Sequence, residues 1–208
     1  MTKIKICGLT TLEDAVCAAE AGADAIGFVF AESPRRMEPR AVRRILTECD
    51  FLPPGVGVFV DAPAEEVART LSASACSVAQ LHGAEPAGYL DLLWPYGVIK
   101  TLRVGPGFSE ELLRPFARAR AVLLDTYVSG KAGGTGQRFD PHLAAGLSQA
   151  GWRIVMAGGL SPDNVGEVVR IVRPYGVDAS TGLESAPGKK DYHKVRDFVA
   201  AVRAAEAG

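Results

Sequence analysis

Short apolar, β-branched runs alternate with amphipathic stretches along the whole of this chain, and no other feature limits its fold as much. The strand-type runs fall at 3–7, 25–30, 55–60, 77–81, 98–102, 121–125, 153–157 and 176–179. A helix-type stretch follows each, near 12–21, 39–49, 63–73, 86–93, 109–118, 141–149, 162–172 and 190–205. The strands are almost continuously apolar, as a parallel sheet covered by helices requires. Local chemistry agrees. Ser161 before Pro162 reads as a helix cap and first turn, and Asp61-Ala62-Pro63 as a similar opening. Gly22 and Gly151 stand where helix ends need a left-handed residue. Eight units with no linker between them predict an α/β protein, a single (β/α)8 TIM barrel spanning residues 1–208. The competing arrangement is an open, doubly wound sheet. Such barrels usually need about 250 residues, so 208 leaves room only for short loops.

Charge narrows the possible partners. A formal net charge of −1 with 23% charged residues gives no long-range field for nucleic acid or an anionic membrane. No apolar run reaches membrane-spanning length, and the best candidate, 21–31, carries Asp24. Residues 1–8 are charged from the outset and lack a signal-peptide core. The expectation is a cytoplasmic protein, monomer or homodimer, without nucleic-acid or membrane partners. Cys7, Cys17, Cys49 and Cys76 are widely spaced, with no Cys-x-x-Cys pair, so free thiols are expected rather than disulfides or a zinc site.

In a barrel of this type, function belongs to the carboxyl ends of the strands. Cys7 closes the first, and alternation turns Lys5 and Cys7 inward while Ile4 and Ile6 face the helices. A buried cysteine is commonly a small hydrophobe, but at the catalytic rim it is a candidate base. A thiol acts as a base only when partly ionised, which a nearby cation favours. Lys5 offers that cation, or pairs instead with Asp178 on strand 8; Asp178 is also a candidate substrate contact. Asp125 closes the apolar strand Ala-Val-Leu-Leu, either as a loop hydrogen-bond partner or as a general acid whose pKa rises on burial. His82, at the end of strand 4, is a structural hydrogen-bonding group or a substrate contact.

Glycine-rich segments follow strands 7 and 8: Ala157-Gly158-Gly159-Leu160-Ser161 and Asp178-Ala179-Ser180-Thr181-Gly182. Glycines let backbone approach a ligand, and amides at a helix start bind phosphate. Gly158, Gly159, Ser180, Thr181 and Gly182 are therefore the candidate phosphate seat, with Gly134 after strand 6 as a further contact or part of a cover. Ser33-Pro34-Arg35-Arg36 follows strand 2, and one of its guanidinium groups suits a two-pronged bond to a substrate carboxylate.

The ordered blocks Lys5-Ile6-Cys7-Gly8, Gly27-Phe28-Val29-Phe30, Ser33-Pro34-Arg35, Gln80-Leu81-His82-Gly83, Leu123-Leu124-Asp125-Thr126, Gly133-Gly134-Thr135-Gly136, Ala157-Gly158-Gly159-Leu160 and Pro187-Gly188-Lys189-Lys190-Asp191 resemble phosphoribosylanthranilate isomerase of tryptophan biosynthesis. The likeness covers nearly the whole chain. It implies an Amadori rearrangement of a small phosphorylated substrate, N-(5-phosphoribosyl)anthranilate, with no metal and no organic cofactor. It also implies Cys7 as general base, Asp125 as general acid and Arg35 as the anchor of the anthranilate carboxylate, leaving Arg36 solvated. Some relatives carry an aromatic at the position of Arg36 and a serine at that of Thr181. Two other functions compete. An aminoaldose-phosphate isomerase of histidine biosynthesis resembles this chain less, because its relatives place an aspartate where Cys7 stands. A non-catalytic phospholigand-binding barrel has no use for Cys7 and Asp125 together.

Overall fold

In a computed structural model, which describes residues 1–105, 107–125 and 141–207, eight strands close into a barrel in sequence order. They are β1 (Lys3–Cys7), β2 (Ala25–Val29), β3 (Gly55–Phe59), β4 (Val78–Leu81), β5 (Gly97–Arg103), β6 (Ala121–Asp125), β7 (Ile154–Ala157) and β8 (Gly176–Ala179). Every neighbouring pair is parallel, and β1 closes the ring on β8 with Lys5 opposite Asp178. The helices are α1 (Leu12–Ala21), α2 (Pro39–Glu48), α3 (Ala64–Ser74), α4 (Tyr89–Leu92), α5 (Pro141–Gln149), α6 (Pro162–Val172) and α7 (Tyr192–Ala207). A hairpin of β9 (Glu184–Ala186) and β10 (Lys189–Lys190) stands between β8 and α7.

Strand alternation sorts the core into two layers. Ile4 and Ile6 of β1, with Val122 and Leu124 of β6, belong to the outer cluster that also holds Val195 and Phe198 of α7. Val56, Val78, Ile99, Ala121, Leu123 and Val155 fill the barrel interior. Lys5 and Cys7 therefore face inward, as the alternation predicts, and Asp125 continues the inward row of Ala121 and Leu123.

Three local expectations are corrected. The stretch 86–93 forms only the single turn α4, because Gly88 precedes it and Pro95 follows closely. The stretch 109–118 forms two 3-10 turns, Glu110–Leu112 and Arg114–Phe116, where Pro115 denies an α-helix its hydrogen bond. Asp61 does not cap α3. Pro63 holds that position without a side-chain cap, while Asp61, at φ 52°, accepts the amide of Ala84. Other signals match: Gly22 and Gly151 have φ of 99° and 91° at helix ends, and Ser161 caps α6 ahead of Pro162. All four cysteines are free. No helix among the described residues is long and apolar enough to cross a membrane.

Candidate active site

Cys7 ends β1 inside the mouth of the barrel, only 8% exposed. Its space is made by Gly27 on β2, where a Cβ would lie 2.7 Å from Cys7 Sγ and 3.1 Å from Lys5 Cε. Burial pushes the Cys7 thiol up from its ordinary pKa, with the Lys5 ammonium as the strongest opposing influence. Lys5 Nζ donates to both oxygens of Asp178 at 2.9 Å. Burial works against the Lys5 charge, but Asp178 and Cys7 outweigh it and hold its pKa above the usual lysine value. Asp178, the candidate substrate contact, is 7% exposed and spends both oxygens on Lys5.

Asp125 ends β6 on the inward face. Its Oδ2 lies 3.3 Å from His82 Nε2. The other ring nitrogen, Nδ1, is approached by Gln80 Nε2 at 3.2 Å and by Thr101 Oγ1 at 3.3 Å. With the Gln80 amide donating to Nδ1, the ring proton sits on Nε2 and points to the Asp125 carboxyl.

Arg35, in the loop after β2, crosses over Gly8. That glycine has φ 74°, and a Cβ on it would lie 2.6 Å from Arg35 Cδ and 2.8 Å from Ser180 Oγ. The guanidinium forks onto Glu184, Nε to Oε1 at 2.7 Å and Nη2 to Oε2 at 2.6 Å. Lys190 Nζ donates to Glu184 Oε1 at 2.9 Å and to the Ser180 carbonyl at 3.1 Å. Burial raises the Glu184 pKa, yet Arg35 and Lys190 outweigh it and keep the carboxyl below its ordinary value. Arg36 is exposed.

The segments after β7 and β8 pack backbone to backbone. A Cβ on Gly182 would lie 2.1 Å from the Leu160 carbonyl oxygen. Gly158 and Gly159 have φ of 94° and 71°, which glycine adopts without strain. Ser180 and Gly182 flank Thr181, which opens the 3-10 turn Thr181–Leu183. At the start of α6, Asn164 Oδ1 accepts the Ser161 amide and Nδ2 donates to the Gly159 carbonyl. Gly134 lies outside the described residues. Among the described residues, no group of three or more His, Cys, Asp and Glu side chains is arranged to hold a metal ion.

Gln80, Thr101, Glu184 and Lys190 receive no site role from the sequence, although Gln80 and Lys190 stand in the blocks that carry the family resemblance. Gln80 and Thr101 are polar residues inside apolar strands, and the inward row shared by Gln80 and His82 is the signal that marks the first. For Glu184 the local signal is indirect: Pro187-Gly188, with Gly188 at φ 78°, announces a tight turn that returns Lys190 to Glu184.

The family profile described as N-(5'phosphoribosyl)anthranilate (PRA) isomerase matches residues 4–201. The N-(5'-phosphoribosyl)anthranilate isomerase of Geobacter sp. (strain M21) is 50% identical over 202 residues, covering 96% of this chain and 97% of that protein. Among solved structures, phosphoribosyl anthranilate isomerase from Thermotoga maritima is 36% identical with a TM-score of 0.89, covering 98% of this chain and 100% of that one. A phosphoribosyl anthranilate isomerase in complex with reduced 1-(o-carboxyphenylamino)-1-deoxyribulose 5-phosphate is 35% identical with a TM-score of 0.87, at 98% and 100% coverage. Profile, identity and fold agree over nearly the full length: the chain belongs to the N-(5'-phosphoribosyl)anthranilate isomerase family, the isomerases of tryptophan biosynthesis.

Proposed function

We propose that this isomerase performs its Amadori rearrangement with Cys7 as general base and Asp125 as general acid, on a substrate stretched between Arg35 and the loops after β7 and β8. The observation that carries the reading is that β1 and β6 of one closed barrel both end at its mouth on an inward-facing residue with proton chemistry. Asp125 protonates the furanose ring oxygen, and the ring C–O bond breaks to leave an iminium ion. Cys7 thiolate then takes the C2′ proton, and the electrons of that C–H bond neutralise the iminium. The resulting enolamine tautomerises to the aminoketone. As Asp125 becomes a carboxylate, the His82 Nε2 proton, held toward it by Gln80 and Thr101, stabilises the new charge.

Binding divides between two ends. Arg35 takes the anthranilate carboxylate, and Gly158, Gly159, Ser180, Thr181 and Gly182 seat the phosphate, with Gly134 as a further contact. This fixes the reacting carbons between acid and base. Asp178 serves the site as the counter-charge of Lys5, and His82 lines it from β4. A multiply charged phosphorylated substrate does not cross membranes unaided, which supports action in the cytoplasm.

The test follows the loss of anthranilate-substrate fluorescence. Asp125→Asn is expected to lower kcat by about 10²–10⁴-fold while inorganic phosphate still competes for the site. Cys7→Ser is expected to be similarly impaired, because a hydroxyl is a far weaker base near neutral pH. Near-normal turnover in either variant removes that residue from its role.

A further inference from the structure

Glu184 opens the β9–β10 hairpin, and its side chain is only 5% exposed. Two cations converge on it, Arg35 through a two-pronged bond and Lys190 from the far strand of the hairpin. The second hydrogen bond of Lys190, whose side chain is 0% exposed, goes to the backbone of Ser180. A continuous path therefore runs from Arg35 in the loop after β2, through Glu184 and Lys190, to Ser180 in the loop after β8. Gly8 draws the ends of this path together, since the Arg35 stem and the Ser180 hydroxyl both pass over it.

Stability alone is a weak reason for this triad. Replacing buried ion pairs with packed apolar groups is often neutral or favourable. Its geometry has another consequence. The fork engages Nε and Nη2 of Arg35, which leaves Nη1 for a ligand carboxylate. An arginine that rotates freely loses its rotamer freedom on binding, whereas one already held does not.

We propose that Glu184 is a positioning residue that fixes Arg35 as the carboxylate anchor and, through Lys190, ties that anchor to the phosphate loop at Ser180, so that both ends of the substrate are gripped by one buried, charge-linked unit. This rests on the roles given above to Arg35 and the β8 loop.

The experiment is a double-mutant cycle on kcat and KM for the isomerisation. Glu184→Gln is expected to raise KM about 10- to 100-fold, with kcat within about threefold of the parent. In an Arg35→Ala background, itself raised in KM, the same substitution is expected to add less than about threefold, because its effect passes through the arginine. Equal costs in both backgrounds, or a fall in kcat at unchanged KM, overturns the proposal while leaving the Arg35 assignment intact. An Arg35→Ala variant with unchanged KM overturns that assignment and this proposal with it. Should Glu184→Gln fail to fold because Lys190 is left without its anion, Glu184→Asp, which keeps the charge for Lys190 but shortens the arm that holds Arg35, is carried through the same cycle and judged by the same outcomes.

Discussion

Lys5 Nζ donates to both carboxylate oxygens of Asp178 at 2.9 Å, two residues below Cys7 on the inward face of β1. The pair is buried on both sides, with side-chain exposures of 6% and 8%. It sets the electrostatics of the thiol. Burial drives the Cys7 pKa up, Lys5 opposes that, and Asp178 partly cancels Lys5. An isolated lysine at this point would bear a large desolvation cost, and Asp178 makes a cation there tolerable.

Removal of Lys5 is therefore predicted to act on the base. In Lys5→Met the main influence lowering the Cys7 pKa is gone, so that pKa rises further. The limb of the kcat/KM profile on which Cys7 loses its proton moves to higher pH, and the rate at pH 7 falls. Single removal also strands Asp178, which costs about 3–5 kcal/mol of stability for a broken buried pair; Lys5→Met/Asp178→Asn relieves that strain. A pH–rate profile of Lys5→Met that coincides with the parent's would show that Lys5 does not tune the thiol; the double variant, which removes both opposing influences, is expected to shift less than the single one.

The barrel was legible because its signal is periodic and repeated eight times. Continuous apolar strands put Cys7 and Asp125 at the carboxyl ends of the first and sixth strands, and alternating faces turn Cys7 inward; the inward face of Asp125 comes from the fold. What stayed hidden is non-local. Glu184 and Lys190 lie in a short polar stretch whose pattern does not distinguish buried charges from solvated ones. Their burial follows from the Pro187-Gly188 turn and from Arg35, which is 149 positions away from Glu184. Gln80 likewise becomes part of the site only through the ring of His82. The missing α-helix at 109–118 was a conflict between amphipathic pattern and Pro115, and backbone chemistry won.

A second prediction concerns pH and stability. Glu85 accepts the backbone amides of Asp61 and Gly83 and a 2.6 Å bond from Lys100 Nζ. Burial alone would raise its pKa, but Lys100 and those amides outweigh it and hold it below the ordinary 4.5. The unfolded chain therefore binds the proton more readily. The stabilising contribution is fully present above about pH 4.5 and is lost as pH falls through the folded-state pKa. Glu184 carries the same sign, and Asp14, raised chiefly by burial, the opposite one. Glu85→Gln is expected to be destabilised by about 3 kcal/mol at pH 7, with the gap to the parent closing under acid. Thermal melts of both proteins from pH 7 to pH 3 check this; a gap that stays constant across the series would contradict it.

The last prediction separates substrate seating from proton transfer. A Cβ on Gly182 would meet the Leu160 carbonyl oxygen at 2.1 Å, its carbon at 3.0 Å and Ser161 Cα at 3.3 Å, all of them backbone atoms that no rotamer change can move. In Gly182→Ala the segments after β7 and β8 must part, which pulls apart the two halves of the proposed phosphate seat. Cys7 and Asp125 stand on β1 and β6, whose ladders this substitution does not touch. The expected result is a KM and an inhibition constant for inorganic phosphate each raised about tenfold or more, with kcat at saturation changed far less. Gly146 in α5 supplies the control, since a Cβ there meets nothing within 4 Å. Gly146→Ala should leave both constants alone and stabilise the fold by about 0.5–1 kcal/mol. If phosphate inhibits Gly182→Ala as strongly as it inhibits the Gly146→Ala control, the anion is held elsewhere, and the glycines after β7 and β8 serve only to let two loops pack.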